Sequence, residues 1–199
     1  MKHTLPVVAL VAAASAQTAP ASGLNYDLLT FSRHQRQNTV AAQATLKDSN
    51  ILVGIATCND SYGQNGLGYG GAPRGQINVG YIFKNVTNGI DATVGIIQTN
   101  GDSSVYSVVL RRQWNEVLQG LEISAGYAGT LSSNSNNRFN ESFIFGGTSA
   151  EGAESVSFVE LAYNVNKTFA VSVGLVKPGQ TIGPWSSNRA TVFSVRAGF

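Results

Sequence analysis

The sequence predicts an all-β chain, folded as a single antiparallel up-and-down transmembrane β-barrel of about ten strands, with eight as the alternative. Three observations predict it. Apolar residues recur with period two through most of the chain; the links between these segments are short at one end and mostly long at the other; and the face opposite the apolar one is crowded with Gly and Ala. No segment after the N-terminal region has a helical period.

The alternating segments fall near 24–34, 38–48, 50–59, 74–84, 90–99, 104–114, 120–131, 155–166, 168–177 and 190–199. The first alternates weakly. In the second, Val40, Ala42, Ala44 and Leu46 oppose Thr39, Ala41, Gln43, Thr45 and Lys47; in the fourth, Ile77, Val79, Tyr81 and Phe83 oppose Asn78, Gly80, Ile82 and Lys84. The seventh sets Leu121, Ile123, Ala125 and Tyr127 against Glu122, Ser124, Gly126 and Ala128. The eighth departs from the pattern, with Val156 and Phe158 on its otherwise polar face. The ninth and tenth return to it, with Phe169, Val171, Val173 and Leu175, then Phe193, Val195, Ala197 and Phe199. Side chains alternate across a strand, so each segment presents one apolar face.

Short polar turns at 48–50, 85–89, 115–119 and 166–167 join alternate pairs of segments. At the other end lie long links rich in Gly, Ser and Asn, at 59–73, 131–154 and 178–189, with shorter ones at 35–37 and 100–103. This asymmetry, and an even strand number that brings both termini to the short-turn end, is the layout of a membrane-spanning barrel.

The N-terminus fits an exported protein. Lys2 precedes the apolar run Leu5 to Ala14, and Ala14-Ser15-Ala16 forms an A-x-A cleavage pattern. The run is shorter than the roughly 20 residues a membrane helix needs. The expected organisation is a signal peptide over 1–16, a flexible leader over 17–23 and a barrel over 24–199. Cys58 is the single cysteine, so an internal disulfide is excluded. A formal net charge of +2, with charged residues only 12% of the chain, gives no footprint for nucleic acid.

A soluble exported β-sandwich would also alternate. Its polar face would be rich in Lys, Glu and Thr, whereas here that face carries Gly54, Ala56, Gly80, Gly95, Gly126, Ala128, Ala162, Ala170, Gly174 and Gly198. Repeated Gly weakens a strand unless space demands it, and a narrow closed barrel does. Tyr26, Phe83, Trp114, Tyr163, Phe169 and Phe199 are expected as a lipid-interface girdle at the short-turn end, with Tyr106 and Tyr127 at the other.

The segment Ala190 to Phe199 resembles the last strand of bacterial outer-membrane barrel proteins, which ends on an aromatic residue after alternating apolar positions. The resemblance implies a location in the outer membrane of a Gram-negative cell, with lipid and the barrel-assembly machinery as partners of that strand. Small single-chain barrels of this class imply a monomer.

Few charges fall on the inward face. Lys84 with Asp91, Arg111 with Glu122, and Asp27 with Arg196 at the closing seam are expected as cross-strand pairs, either a packed polar plug or a gate. Glu160 has no neighbour in this scheme beyond Arg111, Gln43 or a trapped water. Catalysis has little material. Barrel enzymes of the protease, phospholipase and lipid A-modifying families use a histidine, and after His3 only His34 remains, without a spaced Ser or Asp partner. One His and one Cys do not make a metal site, and no cofactor motif is present; the Gly-rich run 62–71 lacks the Lys-Ser/Thr and helix of a phosphate loop. Tyr62 and Tyr69 in that run, with Phe139 and Phe143 in the longest link, are candidate contacts for an extracellular ligand. The expected role is therefore non-enzymatic: a largely filled barrel with a structural or surface-interaction function, the alternative being a narrow pore for small solutes.

Overall fold

The computed structural model describes residues 23–34, 37–60, 74–99, 104–130, 155–178 and 190–199. They form ten strands: β1 (Leu28–His34), β2 (Gln37–Thr45), β3 (Ile51–Asp60), β4 (Arg74–Thr87), β5 (Ile90–Thr99), β6 (Val105–Gln113), β7 (Leu121–Thr130), β8 (Ser155–Asn164), β9 (Phe169–Pro178) and β10 (Ala190–Gly198). Each pairs antiparallel with its chain neighbours, and β10 returns to β1, from Leu28↔Gly198 to His34↔Val192, so the sheet closes. Closure leaves no unpaired sheet edge, which is what lets strands cross a medium without water. Ten strands, not eight, make the ring.

The short turns are built by the residues that suit them. Asn88 and Gly89 turn β4 into β5 with φ of 45° and 73°, the left-handed pair that a two-residue hairpin requires. This turn is shorter than the sequence suggests, because β4 continues to Thr87 across an irregularity after Phe83. There Asn85 N donates to Asp91 Oδ1, and Gly89 N donates to Asn85 Oδ1. Asn166 Oδ1 accepts from Thr168 N and Phe169 N, folding the β8–β9 turn.

All ten strands turn bulky apolar side chains outward, among them Phe31, Val40, Ile55, Val79, Val94, Leu110, Tyr127, Leu161, Leu175 and Phe193. An unbroken exposed apolar belt of this extent is unstable in water and is the lipid-facing surface of a membrane-spanning barrel. Tyr106 and Tyr127 stack within it at 6.0 Å, at the end away from the short turns.

Two apolar clusters lie inside the ring. Ala41, Ala56, Ile97, Val105, Val109, Ala128, Val156, Val176 and Val192 pack in the half nearer the long links, with Phe158 against them. The departure in β8 is thus an inward apolar contribution: Phe158 crosses to Gly126, its register partner on β7, where a Cβ would collide with the ring. Tyr26, Leu52 and Ile82 cluster at the short-turn end, with Leu24 against them.

Candidate functional site

Between these clusters the lumen holds its charges. Glu122 enters from β7, Arg111 from β6, Glu160 from β8 and Arg196 from β10, all inward by strand parity and all at most 3% exposed. Arg111 Nε and Nη2 donate to Glu122 Oε1 at 2.9 and 2.8 Å. Arg196 Nη1 donates to the same oxygen at 3.2 Å, and its Nη2 donates to Glu160 Oε2 at 2.5 Å. Ser172 Oγ of β9 completes Glu160 by donating to Oε1, and Ser124 Oγ approaches Glu122 Oε1 at 3.4 Å. Two guanidinium groups and two carboxylates thereby neutralise each other across one side of the ring, from β6, β7 and β8 to β10. Charge-assisted, branched contacts of this kind are what make buried ions tolerable.

Residues 24–27, expected as the start of the first strand, are not strand. They leave the line of β1 and cross the mouth of the barrel. Tyr26 Oη donates to Asp91 Oδ2 of β5 at 2.8 Å, and Gly23 N donates to Gln113 Oε1 of β6. Asn25 O accepts from Arg111 Nη1 at 3.0 Å, and Tyr26 O accepts from Gln43 Nε2 of β2 at 3.0 Å. In a ring of ten, β6 stands opposite β1, so this strap spans the lumen. The Arg111 guanidinium lies 4.6 Å from the Tyr26 ring centroid, coupling strap and charge network through a cation–π contact. Burial holds the Tyr26 phenol well above its ordinary pKa, and the nearby Arg111 charge only partly opposes this.

Two spaces adjoin the site among the described residues. A cavity of about 20 Å³ beside Arg111, Glu122, Arg196 and Asn25 has room for a single water. A recess of about 330 Å³ at the mouth is bordered by Gly23, Leu24, Tyr26, Lys84, Asp91 and Gln113.

The structure corrects several pairings expected from the sequence. Asp27 does not meet Arg196: its Oδ1 accepts from Thr45 N at 2.6 Å and Thr45 Oγ1 at 2.9 Å, and its carbonyl accepts from Phe199 N at 3.3 Å. Arg196 sits opposite Thr30 across the seam and reaches past β9 to Glu160 and Glu122 instead. The reason is the phase of β1. Leu29 and Phe31 face lipid while Thr30 and Ser32 face inward, so Tyr26 lies inside the mouth and leaves the girdle to which it was assigned. Lys84 is exposed, and Asp91 is held by Tyr26 and Asn85 rather than by Lys84. Glu160 finds Ser172, two residues from its register partner Gly174 on β9, and Arg196 one strand further on. Arg111 and Glu122 are brought together across the β6–β7 hairpin.

Of the remaining girdle residues, Phe83, Tyr163 and Phe199 are exposed near the short-turn end, and Trp114 and Phe169 are half-buried there. Arg112 lies over the Trp114 ring at 5.9 Å and pairs with Glu116. Residues 1–16, Tyr62, Tyr69, Phe139 and Phe143 lie outside the described residues, as does the His34 side chain. The strap and the Gln43 and Asn25 contacts were missed by sequence reasoning. The available signal was that Leu24, Tyr26 and Leu28 share the parity of the inward Thr30.

No protein-family model matches the sequence, and no curated protein matches it. Among solved structures the chain is similar to the KdgM porin in complex with disordered oligogalacturonate, at TM-score 0.46 and 8% identity, over 86% of this chain and 98% of that one. It is similar to the NanC porin at TM-score 0.44 and 8% identity, over 86% and 98%. The Acinetobacter baumannii outer membrane protein Omp33 matches at TM-score 0.44 and 11% identity, over 89% and 100%. No functional residue is carried over from these proteins. By its own strand pairing, short turns at one end and apolar outer belt, the chain is a ten-stranded barrel of the outer-membrane type.

Proposed function

We propose that this chain is a non-enzymatic barrel resident in the bacterial outer membrane, exported with loss of residues 1–16, closed through its lumen and presenting its long links at the cell surface. One observation carries the reading. Inward side chains are buried at successive levels, from Leu52 and Ile82 at the strap, through Arg111 and Thr93, to Ile97 and Val156 beyond, each at most 1% exposed. A water-filled pore would leave its lining accessible to water. A structural or surface-interaction role, as a monomer in lipid with β10 as the segment read during assembly, follows from a barrel that passes nothing.

A narrow pore for small solutes is the second reading. It is favoured by the make-up of the closure, which consists of side chains and a strap rather than of the hydrogen-bonded ladder and could therefore move with the barrel intact. Cell fractionation and gel migration of unboiled against boiled protein test the resident-barrel reading. Recovery in the outer-membrane fraction with heat-modifiable migration is expected; recovery as a soluble protein contradicts it.

A further inference from the structure

Among the described side chains, the charges that the strands turn outward are all cations: Arg33 on β1, Lys177 on β9 and Arg112 on β6. Arg112 is already paired with Glu116 at the short-turn end. Arg33 and Lys177 lie at the opposite end, each one residue from the end of its strand, and they flank β10 on either side. Adjacent strands are about 4.8 Å apart, and Arg33 is level with Phe193 and Val173 while Lys177 lies further along β9, so the two positions stand roughly 16 Å apart. Phe193, level with Arg33 as its register partner, and Leu175, two residues before Lys177 on β9, form the apolar surface between them, 62% and 57% exposed. Thr191, exposed on β10, pairs with Leu175 and adds a hydroxyl at the same edge.

Two cations above an apolar surface, on the lipid-facing side of the barrel, complement a molecule with anionic groups above acyl chains. Arg offers a planar fork suited to a phosphate and Lys a mobile point charge. No outward acidic side chain among those described competes with the ligand. We propose that the β1–β10–β9 face binds a phosphorylated lipid of the leaflet at the long-link end, with Arg33 and Lys177 on its phosphates and Phe193 and Leu175 along its acyl chains. This rests on the reading of the outer belt as lipid-facing.

The test uses the full chain folded into phosphatidylcholine nanodiscs carrying trace lipid A, with retained lipid measured by native mass spectrometry. Wild type is expected to keep lipid A through a detergent wash. R33Q/K177Q should retain it roughly thirty-fold more weakly, at about the worth of two surface cations near a lipid phosphate. R112Q should retain it as wild type does, and inorganic phosphate should not compete. Equal retention by wild type and R33Q/K177Q overturns the proposal, as does full competition by inorganic phosphate, which would assign the cations to a free anion. Failure of the wild type to insert overturns the lipid-facing reading itself, an outcome distinct from insertion with equal retention.

Discussion

Arg196 serves two carboxylates at once, Glu160 from β8 and Glu122 from β7, and neither has bulk water to replace it. Removing one member of such a network leaves an uncompensated buried charge, which costs about 3–5 kcal/mol. Arg196→Met should therefore lower the urea midpoint of the barrel in lipid vesicles strongly. Adding Glu160→Leu should recover much of the loss, because Glu122 keeps Arg111; a double variant no more stable than the single one would contradict the network. Tyr26 gives a prediction with a sign. Its folded pKa is raised by burial, so its neutral form is favoured in the fold, and its contribution is complete below the ordinary phenol value of about 10. That contribution falls as pH climbs above this value towards the folded pKa. Tyr26→Phe should cost about 1 kcal/mol at neutral pH and remove the strap's share of the alkaline loss, read as unfolding midpoints across pH. Of these contacts, Arg111 with Glu122 is legible in the sequence because a hairpin sets it. The Arg196 contacts skip over β9, joining β10 to β8 and β7, and no hairpin spacing encodes them.

At the scale of the element, β8 shows how a strand that breaks the pattern is accommodated. Phe158 projects inward and fits because Gly126 opposite has no side chain. Gly126→Val should destabilise the barrel by about 1–3 kcal/mol through overpacking. Phe158→Ala on that background should restore part of it, and additive losses in the same urea titration would contradict the proposed packing. The strand segments themselves are legible because period two is enforced over eight or more residues wherever lipid meets one face. The first segment is the exception. Leu28 points inward beside outward Leu29, so hydrophobicity alone gives no phase for β1, and the sides expected for Tyr26 and Asp27 are reversed in the fold. The strap is illegible for a related reason: Leu24 and Tyr26 alternate like strand residues, while the Asn25 and Tyr26 carbonyls accept from the side chains of Arg111 on β6 and Gln43 on β2 instead of bonding along a ladder.

For the whole molecule, closure in ten strands and closure of the lumen are separate matters. The first follows from ladders that run without an edge from β1 to β10. The second, as proposed above, would rest on apolar packing in one half, four buried charges in the middle and a strap at the mouth. The alternating loop lengths and the Gly-rich inner face make the ring legible from sequence. The content of the ring is only partly so, because side chains from opposite walls meet there. The most direct test of the central claim is single-channel recording of the purified full-length barrel in a planar bilayer. Insertion without steady ohmic steps is the predicted result, and stable open-channel conductance in the wild type would contradict a lumen closed by the strap and the Arg111–Glu122–Arg196–Glu160 network.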